Sequence, residues 1–124
     1  MVSTAKPYPE TMPSECVNVS VVVTANGSVA EATHDQEQIA DVRVQPLPSG
    51  AFDVAFLATM EPSTSRSIVE ATAEGDAHAS VEGLFCSYSA ADPRYPHEVT
   101  VRVRISRGPE SIVGGFRLDL QLAP

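Results

Sequence analysis

The chain has no tryptophan, and aromatic residues of all kinds make up only 6% of it. Hydrophobic residues nevertheless reach 43% and charged residues only 19%, a composition typical of a globular protein and not of a disordered one. Valine, alanine, isoleucine and leucine must therefore supply a thin core. At 124 residues the chain has the length of one domain that can fold without a metal ion or disulfides.

Cysteine is also scarce, since Cys16 and Cys86 are the only two and no Cys-x-x-Cys motif occurs. This argues against a redox centre or a zinc site. The sequence favours two reduced thiols that pack as small hydrophobic groups, and it leaves open one disulfide between them. The spacings of His34, His78 and His97 preset no metal geometry, so the sequence predicts no metal site and no cofactor.

Long apolar runs and an excess of positive charge are both missing. No stretch of eighteen apolar residues occurs, and residues 1–13 lack the apolar centre of a signal peptide. We therefore expect no membrane partner, and a location in the cytoplasm or in a particle. Asp and Glu number 16 against 8 Lys and Arg, a net charge of −8 that repels a phosphate backbone. The sequence predicts no nucleic-acid partner.

Patterns that carry catalysis are not found either. The serines do not form a Gly-x-Ser-x-Gly motif, and no glycine-rich loop leads into a helix to bind phosphate. Glu74 and Asp76 stand two residues apart, but in a chain with 16 acidic residues such a pair is expected by chance. The sequence predicts no catalytic residues.

What the chain does have is alternation of apolar and polar residues. From Glu98 to Ser106 the alternation is unbroken, with Val99, Val101, Val103 and Ile105 on one face. A period of two is that of a half-buried antiparallel strand. The same pattern predicts strands over 17–23, 52–60 and 116–122.

Three further segments contain a turn or leave the type of element open. Asn26-Gly27 predicts a type I′ hairpin with a return strand over 28–33. Residues 31–40 fit either a strand or a short helix. Residues 69–85 have their apolar side chains at odd positions throughout. As one strand, this segment would span about 55 Å. A hairpin or glycine kink near Glu74-Gly75-Asp76 is favoured over one long strand.

Together these segments predict an all-β fold: an antiparallel β-sandwich or small barrel of about seven or eight strands, with at most one short helix. Residues 16–124 are predicted to form a single β domain, and the proline-rich residues 1–15 an extended arm. The predicted core comprises Val19, Val21, Val23, Val42, Phe52, Val54, Phe56, Val101, Val103, Leu118 and Leu120.

The function expected from this pattern is that of a non-enzymatic structural or interaction domain. It would act by self-assembly or by docking on a larger assembly, as accessory proteins of virus or phage particles do. Its partner would be protein, and Tyr8 and Met12 would anchor the arm. One alternative is a small-molecule or carbohydrate-binding module that uses the 87–97 loop. The candidate residues there are Tyr88, Arg94, Tyr95 and His97. A second alternative is an enzyme of unrecognised type.

Overall fold

The structure, a computed structural model, describes residues 16–48, 50–74, 77–106 and 115–124. The predicted arm, with Tyr8 and Met12, lies outside the described residues. Eight strands occur in the described part: β1 (Val17–Val23), β2 (Val29–His34), β3 (Ile39–Pro46), β4 (Ala51–Ala58), β5 (Ile68–Ala73), β6 (His78–Tyr88), β7 (His97–Ser106) and β8 (Phe116–Leu122).

The strands form two antiparallel sheets of four. Sheet A has the order β2-β1-β8-β5, and sheet B the order β3-β4-β7-β6. The all-β, sandwich-like fold expected from the sequence is therefore confirmed. The described residues contain no helix, so the helical alternative for 31–40 is wrong. Asp35 instead closes a turn between β2 and β3, where its carboxylate accepts from the Glu37 N–H and its carbonyl from the Gln38 and Ile39 N–H groups.

The core lies between the inner faces of the two sheets. Residues that alternate along β1, β4, β7 and β8 are fully buried, and the largest of these side chains are Phe56 and Phe116. Nine of the eleven predicted core residues are buried, whereas Val42 and Phe52 only pack against the core half-buried. Val42 lies where the pairing of β3 with β4 shifts register, next to Asp41 with its positive φ of 57°.

The hairpin between β1 and β2 is confirmed, but its predicted type I′ turn is wrong. That turn needs positive φ at two residues, and here only Gly27 has it, at 86°. The Gly27 N–H donates to the Thr24 carbonyl and the Thr24 N–H to the Ser28 carbonyl. This is a three-residue loop in which a β-turn is followed by a left-handed glycine.

The break predicted within 69–85 is present, but its two halves do not form a hairpin. β5 pairs with β8 in sheet A, whereas β6 pairs with β7 in sheet B. The register of β6 against β7 shifts between Val81 and Gly83, and this bulge reverses the face on which later residues lie. Leu84 and Cys86 therefore pack against the core, while Phe85 is 52% exposed.

Cys16 and Cys86 are both thiols, so the disulfide alternative is wrong. Burial, followed by the charge of Glu61, raises the pKa of the Cys86 thiol above its usual range. Cys86 packs against the core, as expected of it, and Cys16 is half-buried.

Candidate interaction surfaces at the sheet edges

The apolar groups that the fold leaves exposed lie on strands at the edges of the sheets. Among the described residues the large exposed hydrophobic side chains are Val29 (36%), Ile68 (60%), Phe85 (52%) and Tyr88 (81%). Val29 is on β2, Ile68 on β5, and the two aromatic residues are on β6. Each of these strands is the last in its sheet. An edge strand presents unpaired backbone groups, which makes it a template for another strand.

The four residues predicted from the 87–97 loop form two contact pairs. The rings of Tyr88 and His97 meet edge to face, with centroids 5.8 Å apart. The Arg94 guanidinium lies over the Tyr95 ring, 5.5 Å from its centroid. The Tyr95 hydroxyl donates to the Gln36 carbonyl over 3.0 Å and so connects the loop to the turn between β2 and β3.

Arg94 has a second contact within the loop. Its guanidinium donates to the Asp92 carboxylate, with 3.1 Å between Nη2 and Oδ2. Hydrogen bonds from Arg94 hold the pKa of the Asp92 carboxyl below its usual range. The polar groups of the loop thus contact each other, and they line none of the three depressions described below.

The first depression lies on the outer face of sheet B, over the small side chain of Ala55. It encloses about 190 Å³ and is lined by residues of β3, β4 and β7. Two ion pairs border it: Arg43 with Glu98, and Arg102 with Asp53, the latter at 2.8 Å. Since each charge is already matched by its neighbour, the depression presents little unpaired charge to a ligand.

Two further depressions lie on the outer face of sheet A, on either side of Arg117. They enclose about 90 and about 490 Å³. Arg117 contacts Asp119 over 3.2 Å, and the Asp119 carboxylate also accepts from the Ser20 hydroxyl over 2.9 Å. Arg117 and Asp119 are thus satisfied by partners from their own sheet, as the two ion pairs of sheet B are.

β6 is the longest of the four edge strands, at eleven residues. Its bulge is held by Glu82, whose carboxylate accepts from Arg104 Nε over 2.6 Å. This hydrogen bond holds the pKa of the Glu82 carboxyl below its usual range. Beyond the bulge, the register against β7 is unbroken from Gly83 to Tyr88. This segment of six residues, Gly-Leu-Phe-Cys-Ser-Tyr, contains no charged side chain and no proline.

Phe85 extends back over Gly83 on the outer face of sheet B. A Cβ atom at Gly83 would lie 2.6 Å from Cζ of the Phe85 ring, so only a glycine allows the ring this position. Aromatic cover of a glycine in an edge strand is one of the devices that pin strand register. The Phe85 ring therefore forms an apolar surface on the outer face of β6.

The hydrogen-bond pattern shows which backbone groups β6 leaves open. The Ser89 N–H donates to the Pro96 carbonyl over 2.8 Å, one position beyond the last residue pair of β6 and β7. Hydrogen-bonded and non-hydrogen-bonded pairs alternate along an antiparallel ladder. The backbone N–H and C=O groups of Ser89 therefore face β7, and those of the adjacent Tyr88 face away from it. The backbone groups that face away from β7 are therefore those of Leu84, Cys86 and Tyr88.

The other edge strands carry features that discourage pairing. β3 has a register shift next to Asp41 and ends at Pro46, which has no N–H to donate. β2 and β5 are only six residues long, and each has a glutamate in mid-strand, Glu31 and Glu70. Short length, bulges, prolines and charges are the usual means by which proteins protect sheet edges. Residues 83–88 of β6 contain no proline and no charged side chain, and they continue an eleven-residue strand.

Sequence reasoning missed Phe85 as a surface residue, because it extended the odd-numbered inward face across the whole of 69–85. A signal was nevertheless present. From Leu84 to Cys86 both faces are apolar, and this run directly follows a glycine. A glycine inside a strand pattern is where a bulge is expected.

The ranges that the structure describes hold no cluster of three or more His, Cys, Asp or Glu side chains that could bind a metal ion. Nor do they include a helix of the length and apolar character needed to cross a membrane. Comparison with protein-family models, with curated proteins and with solved structures finds no match for this chain.

Proposed function

We propose that this protein is a structural or interaction domain that works by assembling with copies of itself, alone or within a larger particle. The observation that carries the proposal is the open edge of β6, where a six-residue uncharged segment presents two exposed aromatic side chains. Such segments on exposed edges are the ones that pair with other chains. In the described part of the chain, no strand pairs with this edge.

The alternative of a ligand-binding module has less support. A small-molecule or carbohydrate site needs a concave surface with convergent polar groups. The candidate loop residues instead contact each other, in the pairs Tyr88–His97 and Arg94–Tyr95. The depression over Ala55 is bordered by groups that are already ion-paired.

The test of the proposed function is the mass of the protein in solution. Light scattering after size-exclusion chromatography should give a mass that rises with concentration from the 13.1 kDa of one chain to a multiple of it. Salt provides a second readout. Because every copy carries a net charge of −8, screening should strengthen assembly through an uncharged edge. A mass of 13.1 kDa at every concentration and salt level would contradict the proposal.

A further inference from the structure

We infer that two copies of the protein pair through antiparallel β6 strands, with Phe85 of one copy directly opposite Phe85 of the other. The two B sheets would then form one continuous sheet of eight strands. This inference rests on the proposed function of self-assembly and names its interface.

The geometry of β6 permits this pairing. In a symmetric antiparallel pair, the two-fold axis passes through one residue position, which then faces its own counterpart. If that position is Phe85, Leu84 lies opposite Cys86 of the second copy, and Cys86 opposite its Leu84. Leu84 and Cys86 are residues of β6 whose N–H and C=O groups face the open edge, as the contact of Ser89 with Pro96 implies. Both pairs can therefore form both of their backbone hydrogen bonds.

The side chains at this register can pack closely. Phe85 and its counterpart occupy a non-hydrogen-bonded pair, where Cα atoms are about 4.5 Å apart and side chains are closest. Aromatic pairs at such positions stabilise sheets. Each ring is half exposed in the single chain and lies on the outer face of sheet B, so the two rings would cover each other. On the same face, Gly83 lies opposite Ser87 of the second copy, which leaves room for both rings.

The distribution of charge along the edge strands also favours β6. A strand that pairs with itself places like charges close together wherever a charged residue lies near the axis. Residues 83–87, which pair among themselves at this register, have no charge, and Glu82 just outside them is matched by Arg104 of its own chain. In a symmetric pair of β2 or β5 strands, Glu31 or Glu70 would stand near its counterpart. Repulsion between like charges therefore opposes self-pairing least at β6.

The contact is small, because it joins two strand segments of five residues. Interfaces of this size form weak, concentration-dependent dimers. The experiment must therefore follow dissociation over a range of protein concentrations, which sedimentation equilibrium does.

The first test compares Phe85→Lys with Ile68→Lys. Both changes place a lysine at an exposed apolar position of an edge strand, but only the first puts two lysines opposite each other at the proposed axis. We expect Phe85→Lys to raise the dimer dissociation constant by roughly tenfold or more, and Ile68→Lys to leave it unchanged. An equal mixture of Phe85→Lys and Phe85→Glu chains should recover the dimer, because opposite charges then face each other.

The second test fixes the register by cross-linking. Under oxidising conditions Phe85→Cys should give a covalent dimer, since the Cα separation of a non-hydrogen-bonded pair suits a disulfide. Ser87→Cys is the control. It is exposed on the same face, but in the proposed register its counterpart lies four residues along the strand, roughly 13 Å away. The unmodified chain reports any background from Cys16 and Cys86.

The outcomes separate the inference from the function on which it rests. If a dimer persists in Phe85→Lys, or if Ser87→Cys cross-links as well as Phe85→Cys, this interface is wrong while self-assembly stands. If the unmodified chain remains a single copy at every concentration, both are wrong. An edge that binds an extended peptide of another protein, and no second copy, would also overturn the inference.

Discussion

At the scale of single residues, neighbouring valines of β1 differ in burial because they lie on opposite faces of the sheet. Val21 lies opposite Leu118 on the inner face and is fully buried, whereas Val22 lies opposite Arg117 on the outer face and is half-buried. Replacing Val21 with alanine should lower the free energy of unfolding by about 2 kcal/mol, because two buried methyl groups are lost and a cavity remains. The same change at Val22 should cost less than about 1 kcal/mol.

Urea unfolding of the two variants at a low protein concentration checks this prediction. The change in chemistry is identical, so the difference between the variants reports only on the face of the sheet. Equal losses would mean that the inner and outer faces of sheet A are assigned incorrectly.

Residue by residue, the inner face could be read from the sequence wherever the opposite face is polar. This holds in β7, where Thr100, Arg102 and Arg104 separate the valines, and in β8, where Arg117, Asp119 and Gln121 do the same. Phe52 was assigned to the core but is only half-buried, since it lies near the start of β4, opposite Pro46 of an edge strand. Alternation states which face a residue occupies, but not how completely the other sheet covers it.

At the scale of elements, the bulge in β6 decides which side chains the domain presents. It could not be located from alternation, because the apolar phase of 69–81 continues in the sequence through Gly83 to Phe85. The extra residue is a property of the pairing between β6 and β7. Which strands pair was likewise not readable: a break between β5 and β6 was predicted, but not that the two strands belong to different sheets. Phe85 lies on the surface because of the register shift between β6 and β7, which alternation does not show.

The ion pair at the bulge gives β6 a dependence on pH. Arg104 lowers the pKa of the Glu82 carboxyl from its ordinary value of 4.5. The stabilisation is therefore complete above about pH 4.5 and is lost as the pH falls through the lower value of the folded protein. Glu82→Gln should unfold at a lower urea concentration than the unmodified chain at pH 7, and the two midpoints should converge under acid conditions.

The effect should be small and should weaken in salt, because the pair is exposed to water. Glu70→Gln, which removes a carboxylate from edge strand β5, is the matched control and should show no such convergence. A difference between Glu82→Gln and the unmodified chain that stays constant from pH 7 to acid would mean that the carboxylate charge does not stabilise the bulge.

At the scale of the whole molecule, net charge and edge structure act in opposite directions. A charge of −8 on each copy opposes association, whereas an open strand edge such as that of β6 is the kind of surface that pairs with another strand. At physiological salt the Debye length is about 8 Å, so the repulsion acts only over short distances. A weak edge contact needs a further contact to become a stable assembly. The arm of residues 1–15 is the part of the sequence expected to supply it.

Three prolines between residues 7 and 13 reduce the conformational entropy that an extended segment loses when it docks. We therefore predict that deletion of residues 1–13 weakens assembly but leaves thermal unfolding of the single chain nearly unchanged, because β1 begins only at Val17. Sedimentation equilibrium measures the first effect, and circular dichroism at a concentration where both proteins are single copies measures the second. Tyr8→Ala combined with Met12→Ala should weaken assembly similarly without shortening the chain.

The sequence offers a direct probe of where the arm docks, because Lys6 is its only lysine. Carbodiimide coupling should join this amine to a nearby carboxylate, and a mixture of isotope-labelled and unlabelled chains shows by mass whether that carboxylate belongs to another copy. If the arm docks between copies, cross-linked peptides will combine labelled and unlabelled chains. Cross-links confined to one chain, together with full assembly of the truncated protein, would show that the arm has no part in assembly and would leave the β6 edge as the only proposed contact.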